Sequence, residues 1–406
     1  MKTLNSFPIY LLGLVLFAAT PPETPAQSPQ QLAKWLQRFP DADTNKDGTL
    51  TVEEAVAYRD KTRGNDNSSG GGAPRSFKVD PGWDEDKFPD HAVSYKSPEE
   101  IAAIYEKGEP GRGEVAPFDQ PAGDVLRIVG TGHSFMAPGY KTLPRITEAA
   151  GFTQPLHTHT GGGMTGSARY KWEQENGIFE FDKTPTPKIL NALANGEWDL
   201  MMWGPYFNDR PKYYACWIDF ALKHNPEMKF YLSDAWPQLH QLDEMPTSED
   251  VFTVELFDEL GAEKNESYNG LINTLREEYG DIIFILPTSD AMTLAAQAYL
   301  RGELPGVEGL HKAVGNKDRS LWRDKLGHLG PGFERLEGYV FYATLYGKSP
   351  ELIEGDIDFS GLEREAGEGY PSPELDRAFR KIAWQAVTNH PLSGITDTNN
   401  DGLADE

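Results

Sequence analysis

Cysteine is almost absent from this chain, since Cys216 is its only one. A single cysteine excludes an intrachain disulfide, a zinc site built from cysteines and an iron–sulfur cluster, and its apolar neighbours favour a buried small side chain. Positive charge is also scarce, because 38 lysines and arginines stand against 63 acidic residues, giving a formal net charge of −25. This balance disfavours nucleic acid and anionic membrane surfaces as partners and favours cations.

Long apolar runs are missing apart from one near the N-terminus. Residues 9–19 are almost all apolar, they follow Lys2, and they precede a stretch of small residues and prolines that ends at Ala26. The run is short for a bilayer span, and the flanking prolines fit a helix of the folded protein poorly. We therefore predict a signal peptide over residues 1–26, and a secreted or periplasmic protein with no membrane anchor after cleavage.

A calcium-loop motif follows this segment. Residues 43–54 read DTNKDGTLTVEE and fill the pattern D-x-[DN]-x-[DN]-G-x₅-E. The pattern predicts an oxygen cage made by the side chains of Asp43, Asn45, Asp47 and Glu54 and by the carbonyl of Thr49. Apolar residues at helical spacing flank the loop, so residues 29–63 resemble an EF-hand, a helix-loop-helix module with calcium as its cofactor. The alternative is an acidic turn that binds no ion.

The last ten residues, DTNNDGLADE, repeat the start of that motif. Asp397, Asn399 and Asp401 occupy its first, third and fifth positions, and Asp405 occupies the ninth. No helix is predicted directly before them, so the loop of residues 395–406 resembles the short calcium loops of dockerin or thrombospondin type repeats. We expect either a second calcium site there or a solvated acidic tail.

Composition divides the middle of the chain. Residues 64–76 read GNDNSSGGGAPRS, which is typical of a flexible linker, and the proline-rich, charged residues 77–123 predict a segment that wraps the main domain. From residue 124 onward apolar strands alternate with helical patterns, which predicts an α/β domain with a parallel sheet over residues 124–390. The predicted strands are 125–129, 200–203, 229–233 and 282–286; the predicted helices are 142–150, 188–194, 211–224, 251–279, 291–301 and 333–346.

The stretch LRIVGTGHSFMAPGY, residues 126–140, predicts a strand, a tight turn and a helix. Ser134 lies in the turn, where a base can reach its hydroxyl and backbone N–H groups can receive an oxyanion. Ligand sites of parallel sheets lie beyond the carboxyl ends of the strands, which is where this serine falls. Ordinary turn chemistry is the alternative reason for small residues at this point.

Further polar stretches fall at strand ends or by the final predicted helix. The glycines at residues 161–163 offer backbone N–H groups, Asn208 offers an amide, and His328 lies in a glycine-rich loop close after Asp324. These positions suggest oxyanion donors and a base with its orienting carboxylate. His157 and His159 share a strand face, which leaves a zinc hydrolase open as another hypothesis, although no third ligand is visible nearby.

In this order the pieces resemble the SGNH/GDSL serine hydrolases, and among them a bacterial subgroup with a GNSF-type first block. GHSF at residues 132–135 matches that block, the glycine run matches the second, residues 204–208 approximate Gly-x-Asn, and Asp-Lys-Leu-Gly-His at 324–328 stands for Asp-x-x-His. The resemblance implies a flavodoxin-like three-layer α/β sheet. It also implies Ser134, His328 and Asp324 as the catalytic residues, with Ser134, Gly162 and Asn208 as oxyanion donors.

Two functions follow as expectations. The first is a secreted, calcium-binding serine esterase that hydrolyses acyl esters, on carbohydrate by analogy with relatives of the family. The second is a calcium-dependent scaffold that binds carbohydrate or protein and has lost its activity, since the third and fourth blocks depart from the family's pattern. A serine-directed probe distinguishes the two, because it labels Ser134 only in the first.

Overall fold

The computed structural model describes residues 39–51, 123–160, 189–204, 211–233 and 235–405, together with positions 32, 33, 36, 54 and 58. The predicted signal peptide, the linker 64–76 and nearly all of the segment 77–123 therefore lie outside the described residues. So do most of the two helices predicted to flank the first calcium loop. In the part of the chain that is described, no helix has the length and apolar character needed to span a membrane.

Five parallel strands form the main sheet, in the order β2-β1-β3-β4-β5. Their bounds are β1 Ile128–Gly132, β2 Leu156–Thr160, β3 Leu200–Trp203, β4 Lys229–Ser233 and β5 Ile283–Leu286. Two further short strands, β6 Gly309–His311 and β7 Ser320–Trp322, make a separate parallel pair. The order reverses direction at β1, so the gap between the carboxyl ends of β1 and its neighbours is the expected ligand edge.

Helices connect the strands and continue beyond the last one. Their bounds are α1 Ala137–Ala149, α2 Ile189–Asn195, α3 Lys212–His224, α4 Val254–Tyr279, α5 Thr288–Leu300, α6 Lys312–Gly315, α7 Glu334–Tyr346 and α8 Pro373–Asn389. The N-terminus of α4 is capped by Thr253, whose hydroxyl accepts from the N–H of Leu256, and that of α8 by Ser372, whose hydroxyl accepts from Leu375.

Apolar residues cover both faces of the sheet. All four residues of β3 are buried, and they alternate between two cores. Met202 belongs to the core that contains residues of α1, α5, α7 and α8, whereas Met201 belongs to the core that contains residues of α2, α3 and part of α4. A strand buried on both faces needs a continuous apolar run, which is what LMMW supplies. The prediction of an α/β domain with a parallel sheet and helices on both faces is therefore confirmed.

Candidate active site

The turn after β1 presents Ser134 at the carboxyl edge of the sheet, directly before α1, and the serine is exposed. Gly132 has a φ of +142°, and a Cβ there would lie 3.1 Å from the backbone nitrogen of Gly204 on the neighbouring strand end. Within the turn, the Nδ1 atom of His133 accepts a hydrogen bond of 3.2 Å from the N–H of Phe135. The absence of a side chain at Gly132 therefore lets the end of β1 lie close to the end of β3, and the turn that carries Ser134 begins there.

Helix α1 lies close against β1 because Gly130 has no side chain. A Cβ at Gly130 would come within 2.6 Å of the Tyr140 hydroxyl. That hydroxyl lies 3.0 Å from the carbonyl oxygen of Thr131 and 2.9 Å from that of Met202, so it ties the helix to the ends of β1 and β3. The small residues of the Ser134 stretch therefore serve close packing as well as the turn itself.

The loop after β7 brings His328 to the same edge. The Nε2 atom of His328 lies 2.8 Å from the Oγ atom of Ser134, although 194 residues separate the two in the chain. The Nδ1 atom of His328 lies 2.8 Å from the Oδ2 atom of Asp324. The other carboxylate oxygen of Asp324 accepts from the backbone N–H groups of Leu326 and His328. The structure thus brings the three predicted residues together as one hydrogen-bonded chain.

Compared with Asp-x-x-His, one additional residue separates Asp324 from His328, and a tight turn accommodates it. The N–H of Gly327 donates to the carbonyl of Asp324 at 3.0 Å, and Gly327 has a φ of +84°, which favours glycine. The base of the loop is closed where the N–H of Arg323 donates to the carbonyl of His328 at 2.9 Å. Asp-x-x-x-His therefore reaches the geometry needed for an aspartate to orient a histidine.

Electrostatics identify the tautomer of His328. Burial acts to raise the pKa of Asp324, but the hydrogen bonds and charge of His328 and the nearby Arg323 outweigh it and lower that pKa to about 2. An ionised carboxylate only accepts hydrogen bonds, so Nδ1 of His328 carries a proton, and in the neutral form of the imidazole Nε2 then offers its lone pair to the Ser134 hydroxyl. A general base must present its lone pair to the nucleophile in this way.

The remaining predicted site residues are the further oxyanion donors and the two histidines of the zinc hypothesis. Gly162 and Asn208, the expected oxyanion donors, lie outside the described residues. His157 and His159 lie on the edge strand β2, and the ring of His157 is 6.0 Å from that of Trp198. Among the described residues, no third His, Cys, Asp or Glu side chain joins these two histidines in a metal-binding group.

Two residues that contact this site were not identified from the sequence. His133 precedes Ser134 and accepts from the N–H of Phe135 within the turn, and Trp236 donates its indole N–H to the carbonyl of Gly327 at 2.8 Å. The position of Trp236 in the sequence could have indicated its role, because it follows closely after β4 and therefore lies at the same carboxyl edge of the sheet as Ser134.

The first acidic loop folds around its own carboxylates. Asp43 accepts from the N–H groups of Asp47 and Gly48, and the side-chain oxygen of Asn45 accepts from the N–H of Asp47. Glu54 accepts from the N–H and the hydroxyl of Thr51. The backbone N–H of Thr51 is the main cause that lowers the pKa of Glu54 to about 2.

The C-terminal loop repeats this arrangement. Asp397 accepts from the N–H groups of Asp401 and Gly402, and the side-chain oxygen of Asn399 accepts from the N–H of Asp401. Asp405 takes the place of the closing carboxylate and accepts from Thr398. Both loops therefore bring together carboxylate and side-chain amide oxygens, which is the ligand chemistry that calcium prefers.

Comparison with known proteins adds little to this geometry. No family model matches the chain. No curated protein matches it either. Among solved structures, the chain is similar to a crystal structure of a DUF4886 family protein from Bacteroides uniformis, with 13% sequence identity and a TM-score of 0.42 over 65% of this chain and 95% of that one. A likeness this distant carries no functional argument.

Proposed function

We propose that this protein is a secreted serine esterase in which Ser134 is the nucleophile, His328 the general base and Asp324 the residue that orients the base. The observation that carries the proposal is the pair of 2.8 Å hydrogen bonds that links Ser134 to His328 and His328 to Asp324. Further support comes from the strand order β2-β1-β3-β4-β5, which is the flavodoxin-like order, and from the GHSF block.

The reaction would proceed in two halves. As the Oγ atom of Ser134 attacks the ester carbonyl, Nε2 of His328 takes the hydroxyl proton, and the negative charge that forms on the carbonyl oxygen is received by the N–H of Ser134. The ester C–O bond then breaks, and the leaving alcohol takes the proton from His328. A water molecule, deprotonated by the same Nε2 atom, then attacks the acyl carbonyl. The bond between Oγ of Ser134 and the acyl carbon breaks, the carboxylic acid leaves, and His328 returns the proton to Oγ of Ser134. Gly162 and Asn208 are the further oxyanion donors that the family resemblance implies.

Calcium has a structural role in this proposal. The first loop would hold the ion through Asp43, Asn45, Asp47, Glu54 and the carbonyl of Thr49, as in an EF-hand. The second loop would use the side chains of Asp397, Asn399, Asp401 and Asp405. Bound calcium would neutralise crowded carboxylates in a chain with a net charge of −25 and would stabilise each loop.

The substrate class follows from the chemistry and the family resemblance together. We propose an acyl ester, with acylated carbohydrate as the natural form. The exposed position of Ser134 leaves the hydroxyl open to a substrate that arrives from solvent.

Hydrolysis of p-nitrophenyl acetate tests the proposal. The mature protein should hydrolyse it, and Ser134→Ala should lose at least about 10³-fold in rate because the nucleophile is gone. Ser360→Ala, in an exposed loop, is the matched control and should keep the full rate. A chelator should leave the rate of the wild-type protein largely unchanged at a temperature well below unfolding.

One pair of results would contradict the esterase proposal. If wild type and Ser134→Ala show equal, negligible rates and a fluorophosphonate probe leaves Ser134 unlabelled, the esterase proposal is wrong. The inactive, calcium-dependent scaffold then becomes the better hypothesis, and its test is calcium-dependent binding to immobilised polysaccharide.

A further inference from the structure

An aromatic cluster joins the two halves of the candidate active site. Phe135, the residue after the nucleophile, stacks on Trp236 with ring centroids 4.7 Å apart and an interplanar angle of 24°. The same phenyl ring meets the imidazole of His328 at 5.1 Å and 88°, a T-shaped contact. Aromatic pairs at these distances have preferred geometries, so Phe135 restricts the orientation of the His328 ring.

The second member of the cluster holds the backbone that carries His328. The indole N–H of Trp236 donates to the carbonyl of Gly327 at 2.8 Å, and Trp236 is only 1% exposed. The N–H of the same peptide unit belongs to His328 and donates to Asp324 at 3.2 Å. Both polar ends of the peptide between Gly327 and His328 are therefore fixed, one by Trp236 and the other by the carboxylate that orients the imidazole.

We propose that Phe135 and Trp236 are positioning residues that hold the imidazole of His328 between Ser134 and Asp324. Neither residue supplies a group to the reaction, and their effect passes through His328. The inference rests on the proposed function, since it assigns a purpose to the placement of His328. It goes beyond core packing because a side chain that only filled space would not need a donor aimed at the carbonyl of Gly327.

A reacting group displaced by about 1 Å costs on the order of 100-fold in rate, whereas substrate binding is much less sensitive. Trp236→Phe keeps an aromatic ring and removes the N–H, so it should lower kcat about 10- to 100-fold and leave KM within about twofold. Phe135→Leu keeps apolar volume and removes both ring contacts, so we expect a loss of similar size.

The test combines kinetics with a proton NMR signature that needs no substrate. The Nδ1–H proton of His328, shared with Asp324, should give a far-downfield resonance that Asp324→Asn removes. Trp236→Phe and Phe135→Leu should shift or broaden this resonance. Trp217→Phe is the matched control, since Trp217 is also 1% exposed but belongs to the core on the opposite face of the sheet. It should lower Tm without changing the resonance or kcat.

Two results would overturn the inference. One is a resonance and a kcat that are unchanged in both Trp236→Phe and Phe135→Leu. The other is an equal loss of kcat in Trp217→Phe, which would mean that general loosening of the domain explains the effect. If the wild-type protein hydrolyses no ester, the proposed function fails, and the NMR comparison alone still decides whether the two aromatic residues hold His328.

Discussion

Two aspartates, one before helix α7 and one in the helix packed against it, differ in solvent exposure and in hydrogen-bond partners. Asp324 lies in the loop before α7, its side chain is 40% exposed, and it accepts from an imidazole that leads to an exposed serine. Asp376 lies in α8 with its side chain 9% exposed, and it accepts from Arg335, Arg380 and the hydroxyl of Tyr339. An aspartate that is partly exposed and linked through an imidazole to an exposed serine is placed for the proposed chemistry, whereas a buried one between two guanidinium groups is placed to stabilise the fold.

The electrostatics of the buried cluster agree with a structural role. Burial acts to lower the pKa of Arg335, but Glu363 and Asp376 outweigh it and raise that pKa. Arg335 belongs to α7, so its ion pair with Asp376 joins α7 to α8. A buried charge whose partner is removed is left uncompensated, which makes such clusters expensive to break.

The largest expected effect comes from Asp324→Asn. Asparagine cannot stabilise the imidazolium that forms during the reaction, and it favours the wrong tautomer of His328. We expect kcat/KM for p-nitrophenyl acetate to fall about 10³- to 10⁴-fold, with Tm nearly unchanged because the side chain is half exposed. Full activity in this variant would remove Asp324 from the site, and a large loss of Tm would place it with Asp376 as a structural residue.

Asp376→Asn should lower the stability of the protein and leave the activity of each folded molecule nearly unchanged. The substitution keeps the shape of the side chain but leaves Arg335 and Arg380 without one of their negative partners, so we expect a loss of about 3 to 5 kcal/mol in the free energy of unfolding. Urea denaturation measures this loss. Activity per folded molecule, counted by titration with a serine-directed probe, should stay near that of the wild type. A variant with normal stability would show that the cluster contributes little to the fold.

The buried cluster of Asp376 also bears on why helix α8 was not predicted from the sequence. Helix α8, Pro373–Asn389, was not among the predicted helices, although β3 and β4 were predicted with their observed bounds. The apolar positions of α8 are interrupted by Asp376 and Arg380, and both are buried because each pairs with the other and with residues of distant elements. A pattern that assigns charged residues to solvent cannot anticipate partners that only the fold supplies.

Other differences have local causes. Helix α1 begins at Ala137 rather than at residue 142, because Pro138 is tolerated in the first turn of a helix. Helix α5 begins at Thr288, before the predicted residue 291. Strand β2 reads LHTHT, and as an edge strand it needs few apolar residues, so the alternation of His157 and His159 indicated a strand face here while no apolar run marked its bounds.

The candidate site was more predictable than its surroundings. Ser134 was singled out because it follows a predicted strand in a tight turn, and His328 because it lies in a glycine-rich loop before a long predicted helix; their order in the chain also resembles that of the SGNH/GDSL hydrolases. The pairing of Asp324 with His328 across one extra residue could not be derived from spacing, since it depends on the left-handed conformation of Gly327. The contact of Trp236 with Gly327 depends on the packing of two loops that are distant in the chain.

Glu334 is the first residue of α7. Its substitution should change the free energy of unfolding by an amount that depends on pH and lies between the effects of the other substitutions. Burial raises the pKa of Glu334 to about 7, and its Oε2 atom has no hydrogen-bond partner among the described residues. Since the folded pKa lies above the unfolded value of about 4.5, the stability that its protonated form contributes is present below pH 4.5 and is lost as the pH rises through 7.

Glu334→Gln should remove this loss, because the amide stays neutral at every pH. We expect the variant to exceed the wild type by up to about 3 kcal/mol in unfolding free energy at pH 8.5, and to match it near pH 4. Denaturant melts across that range measure the difference, with Glu365→Gln in an exposed loop as the control. Parallel pH curves for wild type and Glu334→Gln would contradict the prediction.

A third aspartate, Asp397, is partly exposed like Asp324 and hydrogen-bonded to a helix like Asp376. Its substitution should have the smallest of the predicted effects. Asp397 accepts from the indole N–H of Trp384 in α8 at 2.9 Å. The C-terminal loop also pairs with the end of α7, through the N–H of Ser349 to the carbonyl of Gly402 and the N–H of Ala404 to that of Gly347. Calcium bound there would therefore stabilise the whole domain rather than the loop alone.

We expect calcium at 100 times its dissociation constant to add about 2.7 kcal/mol to the unfolding free energy of the domain, seen as a rise in Tm that a chelator reverses. Asp397→Asn should greatly reduce this rise, whereas Asp43→Asn, in the N-terminal loop, should preserve it. A rise of equal size in Asp397→Asn would show that the C-terminal loop is not the site responsible. Because Trp384 contacts Asp397, its fluorescence should change with calcium over the same concentration range. If Tm rises while that fluorescence stays constant, the stabilising ion binds elsewhere in the protein.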